Sequence, residues 1–204
     1  MVENEVLEFP ELKFEDATHT YRLNGVAVPS VTTIMKPLSQ MHYGGIDESV
    51  LDRAAQRGTE VHNAIENFVK FGVEDIQPAY APYFQAFLAW MKDFDVKPVS
   101  SETRLYHRLL RYAGTADMGC LERGVRTLVD FKTTASFSAM LCGVQLEAYS
   151  RAFESHGVTY DRAVIIQLLP DGTYRRHDRF PPRLECWKVF SSLMNVANFA
   201  QKYK

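Results

Sequence analysis

The chain has 204 residues, 46% of them apolar and 24% charged, enough to bury a substantial core in one domain. No run is long enough to span a bilayer, and Met1–Glu8 is acidic rather than basic and then apolar, so neither a membrane anchor nor a targeting segment is expected and a cytoplasmic location is. A net charge of −2 and a pI near 6.3 exclude nucleic-acid binding through bulk positive charge, but not a local basic channel beside acidic ligands.

No internal repeat, low-complexity tract or long linker divides the chain. Residues 19–28 read as a hairpin around Asn24-Gly25, a pair suited to a type I′ turn. Pro29 ends its second strand, and Ser30 is placed to cap a short helix through Pro37. A helical region follows over Asp47–Phe71. Gly58 is expected to interrupt it, with Thr59 capping a second part whose Val61, Ile65 and Phe68 form an apolar stripe. Another helix is predicted over Pro82–Phe94, where Phe84, Phe87, Leu88 and Met91 recur at helical spacing.

The centre of the chain changes character. Residues 98–103, 104–112, 115–121 and 125–132 read as consecutive strands, with Glu122-Arg-Gly124 turning between the last two. A long amphipathic helix is expected from Ser136 to Ser155, stopping near Gly157. Arg162–Leu169 and Tyr174–Phe180 then form a second hairpin around residues 170–173. Pro181-Pro182 opens a closing helix carrying Trp187, Phe190, Leu193 and Val196. This order predicts a mixed α/β fold, a central mixed sheet flanked by helices. It forms one domain in three stretches: hairpin and helices over 1–95, central sheet and helix over 96–157, and hairpin and helix over 158–204.

The stretch Ala113-Gly-Thr-Ala-Asp117 is followed, twelve residues on, by Asp130-Phe-Lys132-Thr133. In a hairpin, Asp117 and Asp130 lie side by side, while Asp130 and Lys132 project from one face. Two adjacent carboxylates are costly unless a hard cation lies between them, which suits Mg²⁺ or Mn²⁺, one or two ions, with the Phe131 carbonyl as a further oxygen. Lys132 is then placed to orient water or to stabilise charge on a phosphate. His62, on a helix with Glu66 four residues on, is an additional metal ligand. Gln145 and Tyr149 share a helical face from which they can reach phosphate oxygens or Lys132, and Glu102 is a candidate accessory or water-mediated ligand.

The order His62, Glu102, Gly-Thr-x-Asp117, Asp130-x-Lys132, Gln145-x-x-x-Tyr149 resembles the RecB-like branch of the PD-(D/E)XK nuclease superfamily, over about Pro29 to Tyr149. Val28-Pro-Ser-Val-Thr32 is similar to a segment of phage-type exonucleases and the mitochondrial genome maintenance exonuclease. The resemblance implies a restriction-endonuclease-like core, with His62, Asp117 and Asp130 binding metal and Lys132 catalytic. It implies supporting roles for Gln145 and Tyr149, an accessory acid in Glu102, and Ser30, Thr32 and Thr133 near the DNA backbone. Asp130 stands where Glu is more widespread, as is usual in this branch. Cys120, Cys142 and Cys186 do not reproduce the cysteine cluster of the iron–sulfur relatives, so no cluster is expected; nor do they suit a zinc knuckle or a disulfide framework.

The expected function is therefore metal-dependent hydrolysis of DNA at its ends, single- or double-stranded, in recombination, repair or phage DNA processing. A homo-oligomer or a recombination partner is compatible with this. The alternatives are a structure-specific or single-strand endonuclease, and a silent DNA-binding scaffold of the same fold. A non-haem iron oxygenase built on His62 is a weaker rival, because that site wants two histidines and leaves Lys132 without a task. Two basic clusters, Arg104/His107/Arg108/Arg111 and Arg175/Arg176/His177/Arg179, are candidate DNA contacts or solvated faces. Tyr43, Tyr80, Tyr83 and Phe84 are candidate base-stacking groups, with core packing the preferred reading.

Overall fold

The computed structural model describes residues 8–203, and the expectation about a leading segment at Met1–Glu8 falls almost wholly outside them. Strands β2 (Thr20–Leu23) and β3 (Val26–Val28) pair antiparallel around Asn24 (φ 52°) and Gly25 (φ 79°), the two left-handed residues that a type I′ turn requires. An additional strand that the sequence reading missed, β1 (Leu12–Glu15), joins β2 to make a small three-stranded sheet. Leu12, Tyr21, Leu23 and Val28 close its inner face over Ala113.

Ser30 caps α1 (Val31–Tyr43), accepting the Thr33 N–H at 3.0 Å. The helix runs on past Pro37, where the sequence predicted its end. Pro37 lies on the exposed side, where water can satisfy the carbonyl that loses its partner. Val31, Ile34 and Met35 keep the other side buried. In the same way α2 (Glu48–Phe71) is one continuous helix, and Gly58 and Thr59 lie inside it. A helical glycine costs about 1 kcal/mol, less than the burial of Val61 and Ile65 returns at about 1.5–3 kcal/mol each. In α3 (Ala81–Asp93), Tyr83, Phe84, Phe87 and Trp90 are all buried, so Tyr83 and Phe84 are core.

The main sheet has the order β4 (Val96–Tyr106), β5 (Ala113–Glu122), β6 (Val125–Lys132), β7 (Arg162–Leu168), β8 (Tyr174–His177). Neighbours are antiparallel except β6 and β7, which run parallel and are joined through α4 (Ala139–Glu154). One strand, β4, stands where two were expected. Its ladder with β5 continues through Arg104 opposite Thr115, and residues 107–112 are a tight loop. The His107 N–H donates to the Tyr112 carbonyl at 2.8 Å, and its Nδ1 accepts from the Leu109 and Leu110 amides. The closing helix α5 (Arg183–Lys202) covers one face of the sheet with α1 and α4, while α2 and α3 cover the other. The result is a five-stranded mixed sheet flanked by helices.

The strand β8 ends at His177, short of the expected Phe180. Arg176 turns inward and donates two hydrogen bonds at 2.9 Å to Glu122, a fully buried carboxylate that also accepts from Trp90 Nε1 at 3.2 Å. His177 Nε2 meets Gln167 Oε1 at 3.2 Å. Two members of the second basic cluster are thus tied to structure, leaving Arg175 and Arg179 exposed. Glu122→Ala is expected to cost about 3 kcal/mol, because it takes the two-pronged partner from a largely buried guanidinium that keeps only Asp178, and leaves Trp90 Nε1 without its acceptor. A urea melt that moved by less than about 1 kcal/mol would contradict that account.

Candidate metal centre

The β5–β6 ladder runs only from Glu122 opposite Val125 to Met118 opposite Val129. Beyond it the strands fork. Ala116 packs on the α4 side of the sheet and Met118 on the α2–α3 side, so the alternation of side chains breaks at Asp117. Across from it, Glu102 takes a left-handed φ of 46°, and the β4–β5 pairing skips from Ser101–Met118 to Thr103–Ala116. Such a φ is uncommon outside glycine. The fork would leave the Phe131 amide without a strand partner. Asp117 Oδ2 accepts that N–H at 2.7 Å, while Oδ1 faces His62.

His62 comes from the middle of α2. Its Nδ1 is 3.3 Å from Glu102 Oε1 and 3.7 Å from Asp117 Oδ1. One donor atom from each of these three residues lies within 4.8 Å of the other two, and no second such group of His, Cys, Asp or Glu occurs among the described residues. Asp130 and Lys132 project from β6 beside them, with Nζ 2.6 Å from Asp130 Oδ2. Lys132 is the charged partner of that buried oxygen. The sequence assigned Asp130 to the first metal set and Glu102 to an accessory place. In the structure Glu102 completes the trio, and Asp130 lies beside it with Lys132 as counterion. Glu66, the accessory partner proposed on α2, lines the cleft but is ion-paired with Lys70.

Burial dominates the electrostatics. It would push the His62 imidazole down, but Asp117, Glu102 and Asp130 together outweigh it and raise the ring to about 9. Burial raises Asp117 as well, opposed chiefly by His62. It lifts Asp130 to about 6 despite Lys132. Lys132 is itself raised, burial losing to Asp130 and Asp117. An imidazole, two clustered carboxylates and a third, buried carboxylate beside them are an oxygen-rich donor set, suited to a hard divalent cation with one nitrogen ligand. The set holds one histidine, not the two of a non-haem iron site.

From α4, Gln145 and Tyr149 face the same cleft. Burial raises the Tyr149 hydroxyl well above its ordinary value. The Tyr149 ring lies against Gly114, where an added Cβ would fall 2.7 Å from Cε1. Gly114 had no role expected from its local sequence; its place in Ala-Gly-Thr was the available signal. Gly114→Ala is expected to push Tyr149 aside and cost about 1–3 kcal/mol. A melting curve together with the Tyr149 near-ultraviolet signal would test it, and an unchanged signal would refute the contact.

Ser30 and Thr32 line the cleft 2.9 Å apart through their hydroxyls, although Ser30 also serves its helix. Thr133 lines it too and accepts from Arg57 Nε at 3.3 Å. The Phe131 ring is buried against Phe87 and Trp90 and meets His62 edge-on, fixing the strand that carries Asp130. Tyr43 is half-buried, its hydroxyl accepting the Ser138 N–H, and Tyr80 packs at the core margin. Cys120, Cys142 and Cys186 are buried free thiols. The cleft holds about 1540 Å³, beyond the ~300–1,000 Å³ of small-molecule sites, and runs from the small sheet past the trio to α2.

No helix among the described residues is long and apolar enough to cross a membrane. No protein-family profile and no curated protein matches the chain. A solved structure described as that of SSO0001 aligns over 80% of this chain and 84% of its own, at 12% identity and a TM-score of 0.33. That likeness is too distant to bear on fold or function.

Proposed function

We propose that this chain is a Mg²⁺- or Mn²⁺-dependent deoxyribonuclease with a PD-(D/E)XK core of the RecB-like branch, acting as an exonuclease on DNA ends. The observation that carries this reading is the convergence of His62, Glu102 and Asp117 beside the Asp130–Lys132 pair in one open cleft. His62, Glu102 and Asp117 would hold the ion, with Asp130 alongside. When bound, a divalent ion supplies positive charge for the scissile phosphate and acidifies a water. Lys132 donates hydrogen bonds through Nζ, orienting the attacking water and stabilising charge that grows on phosphate oxygens. Tyr149 and Gln145, four residues apart on α4, line the edge of that space. The products are a 3′-hydroxyl and a 5′-phosphate, as the family resemblance implies.

The test is a gel assay with end-labelled linear single- and double-stranded DNA and a closed circle, in Mg²⁺, Mn²⁺ or EDTA, beside Asp130→Ala. Metal-dependent loss of linear DNA with circles spared and the variant inert is the expected result. Cut circles would make it an endonuclease. DNA bound but uncut under every metal would leave a scaffold of this fold.

A further inference from the structure

The wall of the cleft opposite α2 comes from the small sheet and the end of β4, and it carries groups the metal centre does not use. Lys13, Phe14, His19 and Arg104 all line it. The Arg104 guanidinium lies over the Phe14 ring at 5.1 Å, and Phe14 in turn packs on Tyr21 at 4.6 Å and meets His19 edge-on at 5.0 Å. Among the described residues no carboxylate lies within ion-pair distance of Arg104, although it is exposed on a wall that also contains Glu8 and Asp16. It is a planar cation held over an aromatic ring and open to the cleft.

Its place relative to the metal centre is fixed by the strand. Arg104 is two residues from Glu102 on β4, and both side chains line the cleft. The Tyr21 hydroxyl, 2.7 Å from Thr115 Oγ1, feels both the Arg104 cation and the Glu102 carboxylate, so the two share one neighbourhood. Arg104 is thus a cationic group of the same cleft, beside the metal trio and outside it. A guanidinium meets phosphate through paired N–H donors and stacks on bases through its face.

We propose that Arg104, held by Phe14, forms a subsite for the phosphate and base of an unpaired nucleotide next to the scissile phosphodiester. This rests on the nuclease reading, and it makes a single strand the form of DNA that fills the cleft. Base stacking on such a platform is sequence-tolerant, and removing the platform costs about tenfold or more in affinity per base. A base held in a duplex cannot offer its face to the pair.

The full chain would be titrated, in Ca²⁺ at fixed salt, with a fluorescein-labelled 12-nucleotide oligothymidylate. A second series would carry one 2-aminopurine moved along the strand. Arg104→Ala and Phe14→Ala should each weaken binding at least tenfold, with Phe14→Tyr restoring it. One 2-aminopurine position should be quenched in the wild type and brighter in both alanine variants. Unchanged affinity, no position-specific quenching, or an equal loss for a blunt duplex would each overturn the subsite. Melting temperatures establish that the variants fold; if either alanine variant unfolds, Arg104→Gln, which keeps a polar side chain but loses the charged guanidinium, is read in its place. Hydrolysis of bis(p-nitrophenyl) phosphate by the wild type in Mn²⁺ tests the nuclease reading separately. If that hydrolysis fails while Arg104→Ala still loses oligonucleotide binding, the subsite stands and the catalytic reading falls.

Discussion

Lys132→Ala is expected to lower DNA cleavage by about 10²–10³-fold, the range typical of removing one charge-stabilising donor, while DNA affinity shifts only severalfold. The reason lies in the ion pair with Asp130 at 2.6 Å. Lysine has no bond to the fold that alanine would break, other than this pair and its hydrocarbon packing. Its loss leaves the His62 imidazolium as the remaining counter-charge near buried Asp130, so that carboxyl should take up a proton more readily or seek a divalent ion more strongly. The Mn²⁺ affinity of Lys132→Ala, measured by calorimetry, should therefore equal or exceed that of the wild type even as turnover collapses. Lost DNA binding with retained turnover would refute the catalytic assignment. Mn²⁺ binding lost together with turnover would make Lys132 a structural prop of the metal centre.

Coupling between pH and metal binding should be similarly large. In the metal-free protein, His62 is raised to about 9 from an ordinary 6.5. Its contribution to stability is fully present below pH 6.5 and is lost as pH climbs through 9, a change of about 3 kcal/mol. Asp130, lifted to about 6, acts in the same direction at lower pH. The folded state favours its neutral form, so ionisation erodes stability between about pH 4 and 6. Metal-free protein should accordingly lose thermal stability from pH 5 to pH 9. Metal needs the deprotonated imidazole, so Mn²⁺ affinity should rise up to about tenfold per pH unit until His62 has titrated. Melting curves at pH 6, 7.5 and 9, with EDTA or excess Mn²⁺, should show a gap that widens with pH. A gap independent of pH would remove His62 from the ligand set.

Features governed by local chemistry were legible in the sequence. Asn24-Gly25 gave its turn, Ser30 its cap, and the aromatic spacing of α3 its buried face. Misread features were those in which packing overrides a local signal. Gly58 reads as a break, yet the buried stripe of Val61 and Ile65 carries the helix through it. Arg104–Tyr112 reads as a strand, yet His107 folds the chain back on itself after Tyr106. In the site, Asp117, Asp130 and Lys132 were legible because a hairpin register brings them together. The place of Glu102 was not, because it depends on a left-handed backbone at a residue with no propensity for one. Nor was the task of Gly114, which exists only because Tyr149 from a helix thirty-five residues on needs that volume.

The hydrogen bond from the Phe131 amide to Asp117 Oδ2 gives the protein a built-in spectroscopic reporter. Its proton is held by an ionisable side chain at the mouth of the fork, whereas the amides of a β-ladder are held by carbonyls. Any event that draws electron density from that carboxylate, whether proton uptake or ligation through its other oxygen, should weaken the hold. The ¹⁵N–¹H resonance of this amide should then shift, and its solvent exchange should quicken without global unfolding. A single backbone signal would thus follow the occupancy of the site in solution, with no substrate present and no label attached.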